Sequence, residues 1–111
     1  MGYYTNYKLE ATGFESAEAA EFFEFKLIKV SEYSGWDVET HYKTFDVNAT
    51  LNEVKWYDWQ QDLEGLSKQF PNVTITVDGV GEEPGDIWRA RVKNGLTKTA
   101  KATISFDGLD D

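Results

Sequence analysis

Residues 53–88, EVKWYDWQQDLEGLSKQFPNVTITVDGVGEEPGDIW, carry the pattern that decides the fold. Trp59, Leu63, Leu66 and Phe70 recur at i, i+4, i+7 and i+11, which lays one apolar stripe along a helix. Asp58, with Gln61 three residues on, reads as a capping box at its start, and Pro71-Asn72 ends it. Val73, Ile75 and Val77 then alternate with Thr74, Thr76 and Asp78, the period of a strand with one buried face. Just upstream, EVKWY reads as a short strand with Val54 and Trp56 sharing a face. Gly81-Glu82-Glu83-Pro84-Gly85-Asp86 reads as an acidic turn, with Pro84 and Gly85 supplying its geometry.

Further on, two strands flank Lys93-Asn94-Gly95, and Asn-Gly is a strong hairpin signal. Trp88, Ala90 and Val92 form the expected core face of the first. Ala100, Ala102, Ile104 and Phe106 form that of the second. This leaves Arg89, Arg91 and Lys101 on the reverse face, and residues 107–111 as a frayed tail.

Toward the N-terminus, Tyr3, Thr5, Tyr7, Leu9 and Ala11 alternate with Tyr4, Asn6, Lys8 and Glu10, a half-buried strand that Gly13 breaks. Ser16 is the expected N-cap of a helix reaching about Val30. At about 100° per residue, Ala19, Ala20, Phe23, Leu27 and Val30 fall on its core side. On its other side Glu18, Glu21 and Glu24 interleave with Phe22, Phe25 and Ile28. Three readings fit that face: a helix buried on two sides, partly extended backbone over residues 23–30, or a surface that meets a partner. Between Ser31 and Asn52 the pattern is poor. A short strand or an irregular excursion is expected near HYKTFDV, where His41, Lys43, Phe45 and Val47 alternate weakly with their neighbours.

The order strand, helix, uncertain segment, strand, helix and three strands predicts one α+β domain spanning residues 1–111. It is a two-layer sandwich of a mainly antiparallel sheet of four to five strands with two helices on one face, a ferredoxin-like variant being one topology. An aromatic content of 15% argues against disorder despite a net charge of −9. The absence of cysteine excludes disulfides and thiolate metal sites. No apolar run approaches the roughly 20 residues that span a bilayer, and the first residues lack the pattern of a signal peptide. The expectation is a cytoplasmic protein without a membrane partner.

The acidic balance opposes direct nucleic-acid binding, which rests on neutralising phosphates. It serves solubility, or an acidic surface that docks on a basic partner. Arg89, Arg91 and Lys101 are the alternative nucleic-acid face, although they lack aromatic stacking partners. His41 is the single histidine, and no serine elbow accompanies it, so no catalytic residue is assigned. Glu82, Glu83 and Asp86 are hard oxygen donors, the basis of an alternative metal-assisted hydrolase, but a solvated turn accounts for them and no metal or other cofactor is called for. Trp56, Trp59 and Trp88 are expected in the core. Trp36, beside Gly35, is expected on the surface, where a tryptophan anchors an interface.

The segments MGYYTNY, VKWYD and FPNVTITVDGVGEEPGDIWRARVKNGL, in that order, resemble a family of small acidic proteins common in bacteriophages and prophages. The resemblance covers residues 1–11 and about 53–106, and residues 14–52 depart from it. It carries no catalytic residues. It implies a phage protein in the host bacterial cytoplasm, a non-enzymatic binder that interferes with a host complex, including defence systems in the manner of anti-CRISPR proteins. The expected partner-binding set is Glu18, Glu21, Phe22, Glu24, Phe25, Trp36, Asp37 and Glu39. The apolar side of the first helix is equally a seam for a homodimer.

Overall fold

The computed structural model describes residues 4–101. Along the chain these form β1 (Thr5–Thr12), α1 (Ala17–Ser31), β2 (Asp37–Thr40), β3 (Val47–Val54), α2 (Trp59–Gln69), β4 (Thr74–Gly81), β5 (Ile87–Lys93) and β6 (Leu96–Lys101). The strands make one antiparallel sheet in the order β2-β3-β1-β4-β5-β6. Because β3 pairs with both β1 and β2, it lies between two strands that run the same way. That split arrangement, over β1 to β4 and both helices, is the ferredoxin-like βαββαβ unit, and the β5–β6 hairpin extends it. The α+β sandwich is as expected, with six strands in place of four to five.

One sheet face is the core face. Tyr7, Leu9 and Ala11, then Val47, Ala49 and Leu51, then Ile75 and Val77, then Ala90 and Val92 are buried together with Phe23, Leu27, Leu63 and Leu66 of the helices. All four tryptophans adjoin this core through one chain of rings. Trp36 meets Trp56 at 5.7 Å, Trp56 meets Tyr7 at 5.3 Å, Tyr7 meets Trp88 at 6.0 Å, and Trp88 stacks on Trp59 at 4.5 Å. The Tyr7 hydroxyl donates to the Trp56 carbonyl at 3.1 Å. Burial pushes its ionisation up to about 12. The neutral phenol is therefore favoured in the folded state. Stability should fall by roughly 2–3 kcal/mol as pH climbs from the ordinary value near 10 toward 12. Urea unfolding across that range, with Tyr7→Phe removing the slope, checks it.

Several expectations are corrected. Over residues 41–46 the strand alternative gives way to the irregular one, a hairpin turn: the His41 N–H donates to the Asp46 carbonyl and the Phe45 N–H to that of His41, with Phe45 at φ 63°. The strand expected at EVKWY begins earlier, at Val47, and ends at Val54, leaving Trp56 beyond it. A bulge explains the broken alternation. Glu53 sits at φ 55°, and its N–H donates to Asn6 Oδ1 at 2.7 Å. Asp58 is the N-cap of α2 and its carbonyl receives the Asp62 N–H, but with φ −93° and ψ 19° instead of extended backbone its side chain makes no capping bond. Helix α1 is continuous and buried on one side only, so neither two-sided burial nor extended backbone explains Phe22 and Phe25.

On β6 the expected faces are exchanged. Ala100 pairs with Arg89 and Lys101 with Trp88, so Ala100 lies on the open face and Lys101 on the helix side. Tyr3, Ala102, Ile104 and Phe106 lie outside the described residues. Ser67 anchors the hairpin to α2, its hydroxyl donating to the Glu64 carbonyl and accepting from the Gly95 N–H at 2.7 Å.

Candidate functional site

Ser16, in extended backbone, starts α1 by accepting the Ala19 N–H on its Oγ at 3.1 Å. The helix ends where Glu32 turns left-handed at φ 64° and donates its N–H to the Ile28 carbonyl. Between these caps Ala20, Phe23 and Leu27 are buried, which aims the opposite side at solvent. Phe22 is 51% and Phe25 60% exposed there. Phe22 leans on Phe70 at 5.8 Å, and the Lys26 ammonium stands 5.3 Å over its ring. Glu18 and Glu21 are exposed beside them, and Glu24 is half-buried at the flank. Two aromatic rings on the solvent side of one helix thus stay more than half exposed, Phe22 with partial cover from Phe70 and Lys26.

The rest of the expected partner set is placed elsewhere. Trp36 is buried, not exposed: its indole N–H donates to Ser31 Oγ at 3.0 Å and its ring packs on Trp56. Asp37 and Glu39 are exposed on the edge strand β2, on the sheet face away from the helices, since it is Val38 between them that adjoins the core. Glu18, Glu21, Phe22 and Phe25 thus form one surface, and Asp37 and Glu39 belong to another. Lys29, one turn beyond Phe25 and exposed, belongs to the first. The four-residue spacing from Phe25 is the signal that identifies it.

The open sheet face is that second surface. Two cross-strand rows cross it: Glu39, Asn48, Glu10, Thr76, Arg91 and Lys98, which runs from acid to base, and beside it Asp37, Thr50, Lys8, Asp78, Arg89 and Ala100, in which the charges alternate. Arg89 grips Asp78 with two bonds of 2.7 and 3.0 Å, and the guanidinium holds that carboxyl below the usual carboxylate range. A shallow, largely apolar groove of about 540 Å³ adjoins this pair, with Val80, Ile87 and the Asn6 and Asn52 amides in its walls. Arg89 and Arg91 share this face as expected, and Lys101 does not.

Glu82 and His41 serve the backbone. Glu82 Oε1 accepts the Tyr4 N–H at 2.6 Å, while the Gly81 N–H donates to the Asp86 carbonyl to close the loop. Among the described residues no group of three or more His, Asp or Glu side chains converges as a metal site. His41 Nδ1 accepts the Lys43 and Thr44 N–H groups and its ring stacks on Tyr42, organising the turn. Among the described residues no helix is long and apolar enough to cross a membrane. No family model, curated protein or solved structure matches the chain.

Proposed function

We propose that this is a non-enzymatic protein-binding module of phage or prophage origin that inhibits a host defence or nucleic-acid-handling complex in the bacterial cytoplasm. The observation that carries the binding role is the pair Phe22 and Phe25, more than half exposed on a well-capped helix with Glu18 and Glu21 alongside. Exposed aromatics are the residues that anchor interfaces, and flanking carboxylates select a basic rim on the partner. The phage setting rests on the resemblance of residues 1–11 and 53–106, and the net charge of −9 suits a target that normally holds nucleic acid.

The test is capture from bacterial lysate by tagged protein, with the captured complex identified by mass spectrometry. Phe22→Ala with Phe25→Ala should weaken binding roughly 30-fold or more, at about 2 kcal/mol for an anchoring ring. Arg91→Ala, on the opposite face, should leave it unchanged. Full capture by the folded double variant would remove the role from α1.

A second reading has its own support. Lys8, Arg89, Arg91, Lys93 and Lys98 place five of the chain's eleven cations on the open sheet face, the layout of a nucleic-acid interface. It predicts low-salt binding of single-stranded oligonucleotides that weakens with Arg91→Ala plus Lys98→Ala and has a shallower salt slope. Titration without detectable binding at low salt rejects it.

A further inference from the structure

The outer side of α1 fits a second copy of itself. Its seam residues are Glu18, Phe22, Phe25 and Lys29, spaced four, three and four, the a/d repeat that packs one helix against another. At about 100° per residue all four fall within about 60° of one another, opposite Phe23 and Leu27. The order is symmetric about the midpoint of Phe23 and Glu24: acid, ring, ring, base. Turned through a dyad at that midpoint, an antiparallel neighbour brings its Phe25 beside Phe22 and its Phe22 beside Phe25. The same turn sets its Lys29 against Glu18 and its Glu18 against Lys29.

We infer that α1 pairs antiparallel with α1 of a second copy, giving a two-fold dimer with a Phe22–Phe25 centre and Glu18–Lys29 pairs at both ends. An isologous contact requires a self-complementary surface, and this stripe is one in charge and in the order of its residues. The backbone already meets the requirement: Ser16 and Glu32 cap the helix outside the seam, and all four side chains are exposed. Glu21 and Lys26 lie on opposite shoulders, so each stays on its own side of the pair and in solvent. Two rings per copy make a small apolar centre, and the dimer therefore forms in a concentration-dependent equilibrium. Phe70, under Phe22, widens that centre. This inference rests on the reading of the α1 face as an interaction surface. A host partner that takes the face displaces the second copy.

Sedimentation velocity over a concentration series should show the wild-type coefficient rising from monomer to dimer. Glu18→Lys sets lysine against Lys29, and Lys29→Glu sets glutamate against Glu18. Each variant alone should weaken association roughly tenfold or more, about 1.4 kcal/mol. An equal mixture should recover the dimer, because the swapped charges are again opposite. Circular dichroism confirms that each variant is folded. A wild type that stays monomeric throughout, a dimer indifferent to either substitution, or a folded mixture that does not recover would each overturn the seam. Capture of a bacterial partner by a wild type that stays monomeric would overturn the dimer alone. Self-association without any capture would overturn the host-partner reading alone.

Discussion

Gly79→Ala should destabilise the protein by roughly 1–3 kcal/mol, although alanine in place of glycine usually helps a strand. A Cβ at Gly79 would lie inside the Trp88 indole, against Cε2, Cζ2 and Nε1. That half-buried ring is held by two aromatic neighbours. It is stacked on Trp59 at 4.5 Å and meets the Tyr7 edge at 6.0 Å. Relief requires either unstacking the two indoles, worth about 0.5–1.5 kcal/mol beyond buried area, or opening β4 from β5. The usual gain from restricting the unfolded chain, about 0.4–1 kcal/mol, offsets only part of the combined overpacking cost. Gly65→Ala on α2 supplies the contrast. Nothing lies within 4 Å of its added Cβ, so it should stabilise by roughly 0.5–1 kcal/mol. Urea midpoints of the two variants should move in opposite directions, with near-ultraviolet dichroism changed only for Gly79→Ala. A Gly79→Ala variant as stable as the parent would mean that Trp88 does not cover the glycine.

Phe23→Ala should cost about 3–5 kcal/mol, a large share of the stability of a domain this size. Phe23 is fully buried and meets Phe14 at 5.2 Å and Phe70 at 5.4 Å, both edge to face. Its loss opens a cavity between α1 and the end of α2. Its neighbour in sequence should behave otherwise. Phe22→Ala and Phe25→Ala remove rings already exposed to water, and each should change the unfolding free energy by less than about 1 kcal/mol. The same residue type on two sides of one helix thus separates stability from binding. If Phe25→Ala destabilised the fold as strongly as Phe23→Ala, the exposed ridge would be part of the core and α1 would lose its claim to a partner.

The parts of the fold legible in sequence were those where burial imposes a period. Leu63 and Leu66 on α2, Ile75 and Val77 on β4, and Leu9 and Ala11 on β1 each repeat at the interval their element requires, and all are buried. Local chemistry was legible too: Ser16 caps α1, and Asn94-Gly95 turns the last hairpin with φ of 48° and 82°. A two-residue turn also sets register. Once Lys93 pairs with Leu96, Ala100 must face Arg89, so the β6 assignment could have been reached from the turn. Small apolar residues on an exposed edge strand pointed the other way because neither side of β6 is deeply buried. The β2–β3 hairpin was obscured for a different reason. Phe45 in a left-handed turn and Glu53 in a bulge each break the alternation that would announce a strand.

The candidate surface was half legible. Phe22 and Phe25 stood out because a solvated helix face does not ordinarily carry two aromatics, and residue spacing alone places Glu18 and Lys29 in the same stripe. Trp36 was misplaced because a tryptophan after glycine reads as a loop tip, whereas Ser31 Oγ draws its indole N–H inward. The sequence by itself determined the second helix and its core stripe, the start of the first, the β4 strand, the closing hairpin and the two-layer class, since local periodicity and turn chemistry are properties of neighbouring residues. Tertiary structure alone decided that Asp37 and Glu39 face away from Phe22 and Phe25, and that all four tryptophans join one ring cluster through Tyr7. It also decided that five cations meet on the open sheet. Those relations depend on which strand lies beside which, and strand order is set by the collective burial of distant segments.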